Sequence, residues 1–364
     1  MGKPRSLYVH IPFCASICSY CDFPKLIYRK QWAESYLRSL FIELENLGDI
    51  GLLDTIYIGG GTPNCLPFEL LESLLTRLEK YLLPGGEFSI EANPEFVNEE
   101  QAKLFKRHRV NRVSIGMQSS SPKLLKVCNR KHDFEAVRQA VQTLRQAGID
   151  NISLDIIYAL PGESLEEAKE DAKKAMSLKP DHLSAYSLIL EDGTAFKARG
   201  ITESSDEIQA EQYEAIRSLF ESNGYRRYEF SSFAKPNKKC RHNLTYWHDE
   251  QYYAVGLGAS GYVGEKRFRN TKNLNKYLSG EYREEEEIVS PTSDREYFFL
   301  TNLRLEEGFL IEDFNKRFGT DFESEYKQKI GRLIDKSLVE ISEGRFRVKA
   351  DKLILLDAVL VELF

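Results

Sequence analysis

The feature that most constrains the fold is an alternation of short apolar strands with amphipathic helices over roughly the first 220 residues. The predicted strands lie at residues 7–11, 55–58, 88–91, 112–117, 152–157 and 182–188. Repeated βα units at this spacing predict a parallel sheet with helices outside it. Six units favour a partial (β/α)6 barrel, and a doubly wound open sheet is the alternative.

The helices between these strands carry clear local signals. Residues 134–147 place Val137, Val141 and Leu144 on one face, and Gly148 follows as a stop. Ser164 and Glu167 have the spacing of a capping box, in which each side chain bonds the backbone N–H of the other residue. These signals predict helices on the outside of the sheet.

The pattern changes after about residue 225. A strand is predicted at residues 225–230, and the acidic run at residues 284–287 is interpreted as a solvated linker. Residues from about 293 onward are mostly helical, with two short strands around Glu343 and Gly344 and a final helix at residues 352–364. The predicted organisation is a barrel (1–235), a connecting region (236–290) and a mostly helical, winged-helix-like domain (291–364).

Charge and hydropathy exclude several classes of protein. Lys and Arg total 50 against 56 Asp and Glu, which gives a net charge of −6 and supplies no basic face for nucleic acid. No apolar run approaches the ~20 residues of a transmembrane helix. The basic N-terminus is not followed by the apolar core of a signal peptide. We therefore expect a cytoplasmic protein.

Three of the six cysteines, Cys14, Cys18 and Cys21, fall in the loop after the first predicted strand. Cytosolic thiols stay reduced, so clustered cysteines here indicate a metal or redox site rather than disulfides. A structural zinc site would require a fourth ligand, and none is obvious nearby in the sequence. Three cysteines on a cubane of four irons would leave one iron open to a substrate or cofactor. The spacing is the one that radical-SAM proteins use, so we favour the cluster over zinc.

Two further patterns lie at predicted strand ends. The first is a glycine run, Gly59 to Gly61, followed by Thr62 and Pro63. Glycines let a backbone approach a ligand closely, and such a run is also typical of a tight turn. Polar residues occupy the ends or inner faces of three strands; they are Glu91, Gln118 and Asp155. Ion pairs with Arg or Lys would explain the carboxylates, and contact with a polar ligand at the C-terminal end of a barrel is the alternative that we prefer.

Several motifs in order support a family resemblance. They are Tyr8-Val9-His10-Ile11-Pro12-Phe13-Cys14 with the three-cysteine loop, the Gly59–Pro63 run, Asp155-Ile156-Ile157-Tyr158 with Leu160-Pro161-Gly162, and His242-Asn243-x2-Tyr246-Trp247. Together they resemble the oxygen-independent coproporphyrinogen III oxidase-like branch of the radical-SAM superfamily. The resemblance covers essentially the whole chain, and it identifies the predicted barrel as a radical-SAM barrel.

This resemblance implies a [4Fe-4S] cluster bound by Cys14, Cys18 and Cys21, with S-adenosylmethionine (SAM) on the fourth iron. It also implies contacts with SAM, made by Tyr8, Gly60, Gly61, Thr62, Glu91, Gln118, Arg130 and Asp155. We assign no catalytic residue.

Two activities occur in this branch, coproporphyrinogen III dehydrogenase and heme chaperone. Only 13 residues precede Cys14, whereas the enzymes carry a longer N-terminal extension, and the His-Asn-x2-Tyr-Trp motif is typical of the chaperones. The chaperone is therefore expected, with heme as a cofactor and heme-acceptor proteins, membrane-bound respiratory enzymes among them, as partners. His242 is the expected heme ligand, because neutral imidazole is a common axial ligand, and His248 is close enough to replace it.

Overall fold

The computed structural model describes residues 2–364. Its strands, in chain order, are β1 (Ser6–Ile11), β2 (Phe13–Cys14), β3 (Leu26–Ile27), β4 (Leu53–Gly60), β5 (Leu82–Ala92), β6 (Arg112–Gln118), β7 (Asn151–Tyr158), β8 (His182–Ser187), β9 (Arg226–Arg227), β10 (Ser232–Ala234), β11 (Tyr253–Val255), β12 (Ser260–Val263), β13 (Lys266–Asn270), β14 (Arg283–Ile288), β15 (Phe309–Leu310), β16 (Val339–Ser342) and β17 (Arg345–Val348).

The α-helices follow the same chain order. They are α1 (Lys30–Asn46), α2 (Phe68–Leu78), α3 (Glu99–Arg107), α4 (Pro122–Val127), α5 (Phe134–Gln146), α6 (Leu165–Ser177), α7 (Ala195–Ala198), α8 (Asp206–Ser222), α9 (Arg241–Trp247), α10 (Leu274–Leu278), α11 (Pro291–Asn302), α12 (Ile311–Phe318), α13 (Phe322–Glu325), α14 (Lys327–Asp335) and α15 (Leu356–Leu363). Within residues 2–364, no helix is both long enough and apolar enough to cross a membrane.

The largest sheet has the strand order β11-β1-β4-β5-β6-β7-β8-β10-β9. Its six central strands, β1 and β4 to β8, all run parallel. β11 adds in parallel beside β1, and β10 and β9 add antiparallel beside β8. Within residues 2–364 the two outer strands do not pair with each other, so the barrel is open. This confirms the predicted partial (β/α)6 barrel and excludes the doubly wound alternative.

Strand β7 shows how the sequence separates the two faces of this sheet. Ile152, Leu154 and Ile156 are fully buried in the main apolar core, where the outer helices pack. Asp155 lies between them on the strand and therefore points to the opposite face, into the barrel. The same alternation on neighbouring strands gives the barrel a polar interior.

Two predictions for the region after the central strands are wrong. The single strand predicted at residues 225–230 is replaced by β9 and β10, which pair with each other. The acidic run predicted as a linker forms β14, which pairs with the basic strand β13. Lys266 Nζ lies 2.7 Å from Glu286 Oε1, and Arg269 pairs with Glu285. Cross-strand ion pairs thus accommodate the like charges in a strand.

The C-terminal residues form the predicted mostly helical, winged-helix-like domain. Helices α11 to α15 pack with a small sheet of strand order β15-β17-β16. Its core is rich in aromatic side chains, among them Phe299, Phe314 and Phe322, which are at most 1% exposed. The final helix begins later than predicted, because residues Ala350–Leu355 form a 3₁₀ segment before α15.

One buried carboxylate fastens the segment after β11 to the barrel. Glu43 on α1 is 3% exposed and accepts hydrogen bonds from Gly256 N (2.8 Å), Asn270 Nδ2 (2.6 Å) and Tyr277 Oη (2.6 Å). Burial raises the pKa of Glu43, and these donors oppose that effect. The carboxylate thereby joins α1, the end of β11, β13 and α10.

We expect Glu43→Ala to reduce the free energy of unfolding by about 3 kcal/mol, because three buried donors lose their acceptor. Glu45→Ala is the matched control on the same helix. It removes an exposed ion pair with Arg77 (3.0 Å) and should cost less than about 1 kcal/mol. Urea unfolding followed by circular dichroism measures both losses, and equal losses would contradict the anchoring role of Glu43.

Candidate functional site

A cavity of about 390 Å³ opens at the C-terminal ends of the barrel strands. It brings together all of the predicted site residues except Tyr8 and His242. Those that line it are Cys14, Cys18, Cys21, Gly60, Gly61, Thr62, Glu91, Gln118, Arg130 and Asp155. This is the end of a parallel barrel at which ligand sites are usually built.

The three-cysteine loop is closed at its base by the short pair β2 and β3. At its far side, Ser19 N donates to Cys128 O (3.0 Å), which ties the loop to the end of α4. Burial raises the pKa of Cys14 to about 11 and also raises that of Cys21. Both therefore remain protonated thiols at neutral pH unless a metal stabilises the thiolate.

Among residues 2–364, no three His, Cys, Asp or Glu side chains converge closely enough to hold a single metal ion. In a [4Fe-4S] cluster each cysteine binds a different iron, so the three sulfurs need not converge on one point.

His10 connects the cysteine loop to the barrel. Its Nε2 lies 2.8 Å from the carbonyl of Pro24 and its Nδ1 lies 2.9 Å from Tyr8 Oη. Because a carbonyl can only accept, Nε2 carries the proton and Nδ1 accepts from Tyr8. Burial lowers the pKa of His10 to about 4, so the ring is neutral. Tyr8 is thus engaged with His10, and its predicted contact with SAM stays a prediction.

The glycine run packs against the barrel itself. Gly60 has φ +119°, and a Cβ there would lie 2.7 Å from His10 Cε1. A Cβ on Gly61 would lie 2.7 Å from Cys14 Sγ, and one on Gly59 would lie 3.0 Å from Glu91 Oε1. The sequence predicts that these glycines admit a ligand. The structure shows that a side chain at Gly59, Gly60 or Gly61 would collide with Glu91, His10 or Cys14 respectively. Gly60 and Gly61 also line the cavity, and their contact with a ligand stays a prediction.

Glu91 lies at the centre of the cavity wall. Its Oε2 accepts from Gly60 N (3.0 Å) and its Oε1 accepts from Tyr57 Oη (2.9 Å). Burial raises the pKa of Glu91 to about 7 despite these donors. Tyr57 was not among the predicted site residues. Alternation along β4 could have identified it, because Tyr57 and Gly59 share one face.

Arg130 is held against the three-cysteine loop rather than in solvent. Its Nη2 donates to Gly116 O (2.7 Å) and Asn93 Oδ1 (3.0 Å), and its Nη1 lies 3.5 Å from Cys18 Sγ. Among the described residues, the buried Nε atom has no hydrogen-bond partner. This guanidinium can therefore bind an anionic group beside the cysteines. Asn93, which orients it, was also missed by the sequence analysis.

Asp155 and Gln118 also line the cavity. Asp155 Oδ2 accepts from Ser114 Oγ (2.8 Å), and burial raises the pKa of Asp155. Gln118 has φ +61°, an uncommon conformation for a residue with a side chain, and the pairing of β6 with β7 is irregular there. Strained residues of this kind cluster at ligand sites.

His242 lies at the other end of the barrel. It is fully buried on α9, and its Nδ1 and Nε2 lie 2.7 Å from Thr55 Oγ1 and Tyr246 Oη. Its ring also stacks on Tyr57 with a centroid distance of 5.2 Å. Burial lowers the pKa of His242 to about 3, so it does not titrate near the ordinary ~6.5. Both ring nitrogens are occupied by hydrogen bonds. In this structure His242 therefore offers no free lone pair to the heme iron that it is predicted to bind.

Two known protein families match this chain, one in the barrel and one in the C-terminal domain. The sequence profile described as "Radical SAM superfamily" matches residues 8–175, and that of the "HemN C-terminal domain" matches residues 289–351. A protein of Lactococcus lactis named "Heme chaperone HemW" is 41% identical over 93% of this chain and 92% of its own length. The Bacillus subtilis protein of the same name is 36% identical over 93% and 94% of the two chains.

A solved structure shows the same fold. The coproporphyrinogen III oxidase (HemN) of Escherichia coli, described as a radical SAM enzyme, matches with a TM-score of 0.86. The match covers 99% of this chain and 90% of that chain, with 22% sequence identity. At this identity the likeness concerns the fold alone.

We expect the buried neutral ring of His242 to make the protein sensitive to acid. The unfolded chain binds a proton at this residue below about pH 6.5, whereas the folded protein does so only near pH 3. Stability is therefore fully present above about pH 6.5, and His242 lowers it by about 1.4 kcal/mol per unit as pH falls further. In urea unfolding between pH 7 and pH 5, the pH slope of stability should be smaller in His242→Gln by about 1 kcal/mol per pH unit on average, because the unfolded chain is only partly protonated at this residue near pH 6.5.

Tyr246→Phe is the matched control, because it removes the hydrogen bond between Tyr246 Oη and His242 Nε2 and keeps the imidazole. Tyr246→Phe should lower the free energy of unfolding at pH 7, but its dependence on pH should be the same as in the unmodified protein. An unchanged slope in His242→Gln would contradict the assignment of a neutral ring.

Proposed function

This chain belongs to the HemW family of radical-SAM proteins, and from that membership we propose that it is a heme chaperone that binds heme and transfers it to acceptor proteins. The observation that carries the proposal is the likeness to proteins named heme chaperone, which covers 93% of this chain. Acceptor proteins, membrane-bound respiratory enzymes among them, and a cytoplasmic location are part of the same proposal.

We also infer that the cavity at the C-terminal end of the barrel holds a [4Fe-4S] cluster and SAM. Cys14, Cys18 and Cys21 would bind the cluster, which leaves one iron for SAM. The fit rests on the three thiols that line the cavity and on Gly59 and Gly61, which leave room for Glu91 and Cys14 respectively. When bound, an open-iron cluster with SAM supplies one-electron chemistry.

The polar wall of this cavity suits the charged groups of SAM. Arg130 has an unpartnered Nε and would receive a carboxylate, and Glu91 can accept hydrogen bonds from an ammonium group. Asp155 has acceptor capacity for a ribose hydroxyl. Tyr8, Gly60, Gly61, Thr62 and Gln118 complete the proposed set, with Tyr8 acting through His10.

Anaerobic purification followed by heme titration and a product assay tests the function. The chaperone proposal expects heme uptake, transfer of heme to an apo-acceptor, and no decarboxylation of coproporphyrinogen III. Decarboxylation of that compound, with no retention of heme, would identify the protein as a coproporphyrinogen III dehydrogenase instead.

We expect Cys14→Ala, Cys18→Ala or Cys21→Ala each to abolish the brown absorption of the cluster, because each thiolate holds a different iron. Cys65→Ala is the matched control. Cys65 Sγ donates to Phe13 O (3.4 Å), and the residue lies outside the three-cysteine loop. Iron and sulfide analysis after anaerobic reconstitution provides the measurement. A Cys18→Ala protein with about four irons per chain would contradict the assignment.

Gly61→Ala should also reduce cluster retention, because its Cβ would lie 2.7 Å from Cys14 Sγ and 2.8 Å from Phe13 O. Gly331→Ala on α14 is the control, since its Cβ would meet open space and should stabilise the helix by roughly 0.5–1 kcal/mol. Iron content should fall only in the first variant. Full iron occupancy in Gly61→Ala would show that Cys14 tolerates the displacement.

A further inference from the structure

Two of the three cysteine thiols receive a hydrogen-bond donor from outside their loop. Arg130 Nη1 lies 3.5 Å from Cys18 Sγ. The Thr62 side chain hydrogen-bonds the Cys14 thiol, which lowers the pKa of Cys14 and opposes the larger effect of burial. All four side chains line the cavity at the C-terminal end of the barrel.

Cys21 differs from the other two cysteines. Its donor is the backbone N–H of Phe23, which belongs to the same loop. The loop therefore provides for Cys21 by itself, whereas Cys14 and Cys18 depend on side chains that other parts of the barrel hold in place.

Asn93 connects the two outside donors. Its Oδ1 accepts from Arg130 Nη2 (3.0 Å), and its Nδ2 lies 3.3 Å from Thr62 Oγ1 and 3.4 Å from Glu95 Oε1. A guanidinium can only donate, so the atom of Asn93 that faces it is the oxygen. Both hydrogens of the amide then face oxygen acceptors, which fixes the orientation of the amide.

This orientation sets the direction of the hydrogen bonds. A hydroxyl carries one proton, and Thr62 Oγ1 uses a lone pair to accept from Asn93. The proton of Thr62 is therefore left for the Cys14 sulfur. The chain of donors runs from the amide through the hydroxyl to the thiol.

The backbone of Asn93 is held as firmly as its side chain. Asn93 N donates to Asn64 Oδ1 (2.9 Å), and Asn64 Nδ2 donates to Asn93 O (3.1 Å). Asn64 is itself only 1% exposed and also bonds to Gln101. The amide that faces Thr62 and Arg130 is thus fixed at its base by a buried network.

Donors of this kind act on the electron affinity of an iron–sulfur cluster. Hydrogen bonds to the cysteine sulfurs are among the factors that set its reduction potential. Reduction adds negative charge to the cluster and its thiolates, and a donor bonds more strongly to a more negative acceptor. Two such donors therefore favour the reduced state.

From these contacts we propose that Asn93 is a positioning residue of the cluster site. Its amide directs the Thr62 hydroxyl toward Cys14 and holds Arg130 against Cys18, and it thereby raises the reduction potential of the cluster. This role rests on the proposed [4Fe-4S] site, and it adds a residue and a property that the cysteine spacing does not specify.

The first test removes the hydroxyl next to Cys14. The full chain is reconstituted anaerobically without SAM, and the reduced cluster is followed by electron paramagnetic resonance in a redox titration. Thr62→Val keeps the shape of the side chain and should lower the midpoint potential by up to about 59 mV, the one-electron equivalent of a tenfold change. Thr62→Ser keeps the hydroxyl and should restore the potential of the unmodified protein.

The second test reverses the chain of donors. In Asn93→Asp both side-chain oxygens only accept, so the Thr62 proton turns to the carboxylate and leaves Cys14. The potential should fall. The same substitution in a Thr62→Val background should lower the potential by less, because the hydroxyl is already absent and only the added charge acts.

Asn151→Asp is the matched control for the added charge. Asn151 Oδ1 also accepts from a buried arginine, Arg112 (3.2 Å), but it begins β7 at the end of the barrel opposite the cysteine loop. Asn151→Asp should therefore change the potential less than Asn93→Asp does.

The outcomes separate the two proposals. If the unmodified protein assembles no [4Fe-4S] cluster, the proposed cluster site and the role of Asn93 are both overturned. If the cluster forms and Asn93→Asp keeps the unmodified potential, or shifts it equally with and without the Thr62 hydroxyl, the cluster site stands and the role of Asn93 is overturned. If Asn93→Asp does not retain a cluster, equal potentials in Thr62→Val and Thr62→Ser overturn that role.

Discussion

The close contact between Gly60 and the ring of His10 is the interaction on which the rest of the cavity at the C-terminal end of the barrel depends. It brings β4 against β1, so that Gly61 lies beside Cys14 and Gly60 N reaches Glu91. His10 in turn holds Pro24 at the far end of the cysteine loop. A neutral imidazole performs this task with one donor and one acceptor and adds no charge to the site.

The interior of the barrel balances buried charge with hydrogen bonds. Glu91 and Asp155 have raised pKa values, and each is surrounded by donors from neighbouring strands. Arg130 supplies positive charge next to Cys18. Buried ionisable groups of this kind are costly without partners, so their concentration at one end of the barrel is expected where a polar ligand completes the set.

Much of this could be predicted from the sequence, because the central strands are long, apolar and regularly spaced, and because the cysteine spacing is specific. β11 was missed, since a strand of three residues has no periodic signal and is defined only by its distant partner β1. The direction of His242 was also beyond sequence reasoning. A motif shows which residues are close in the chain, but only packing decides which face of α9 enters the barrel.

The pairing of β11 with β1 has a consequence for biosynthesis. Leu7 on β1 pairs with Tyr253 on β11, so β1 leaves the ribosome long before the strand that pairs with its outer edge has been synthesised. At typical elongation rates this interval is on the order of tens of seconds, during which the outer edge of β1 is unpaired. The nascent chain therefore carries its cysteine loop next to an open strand edge until synthesis has passed residue 255.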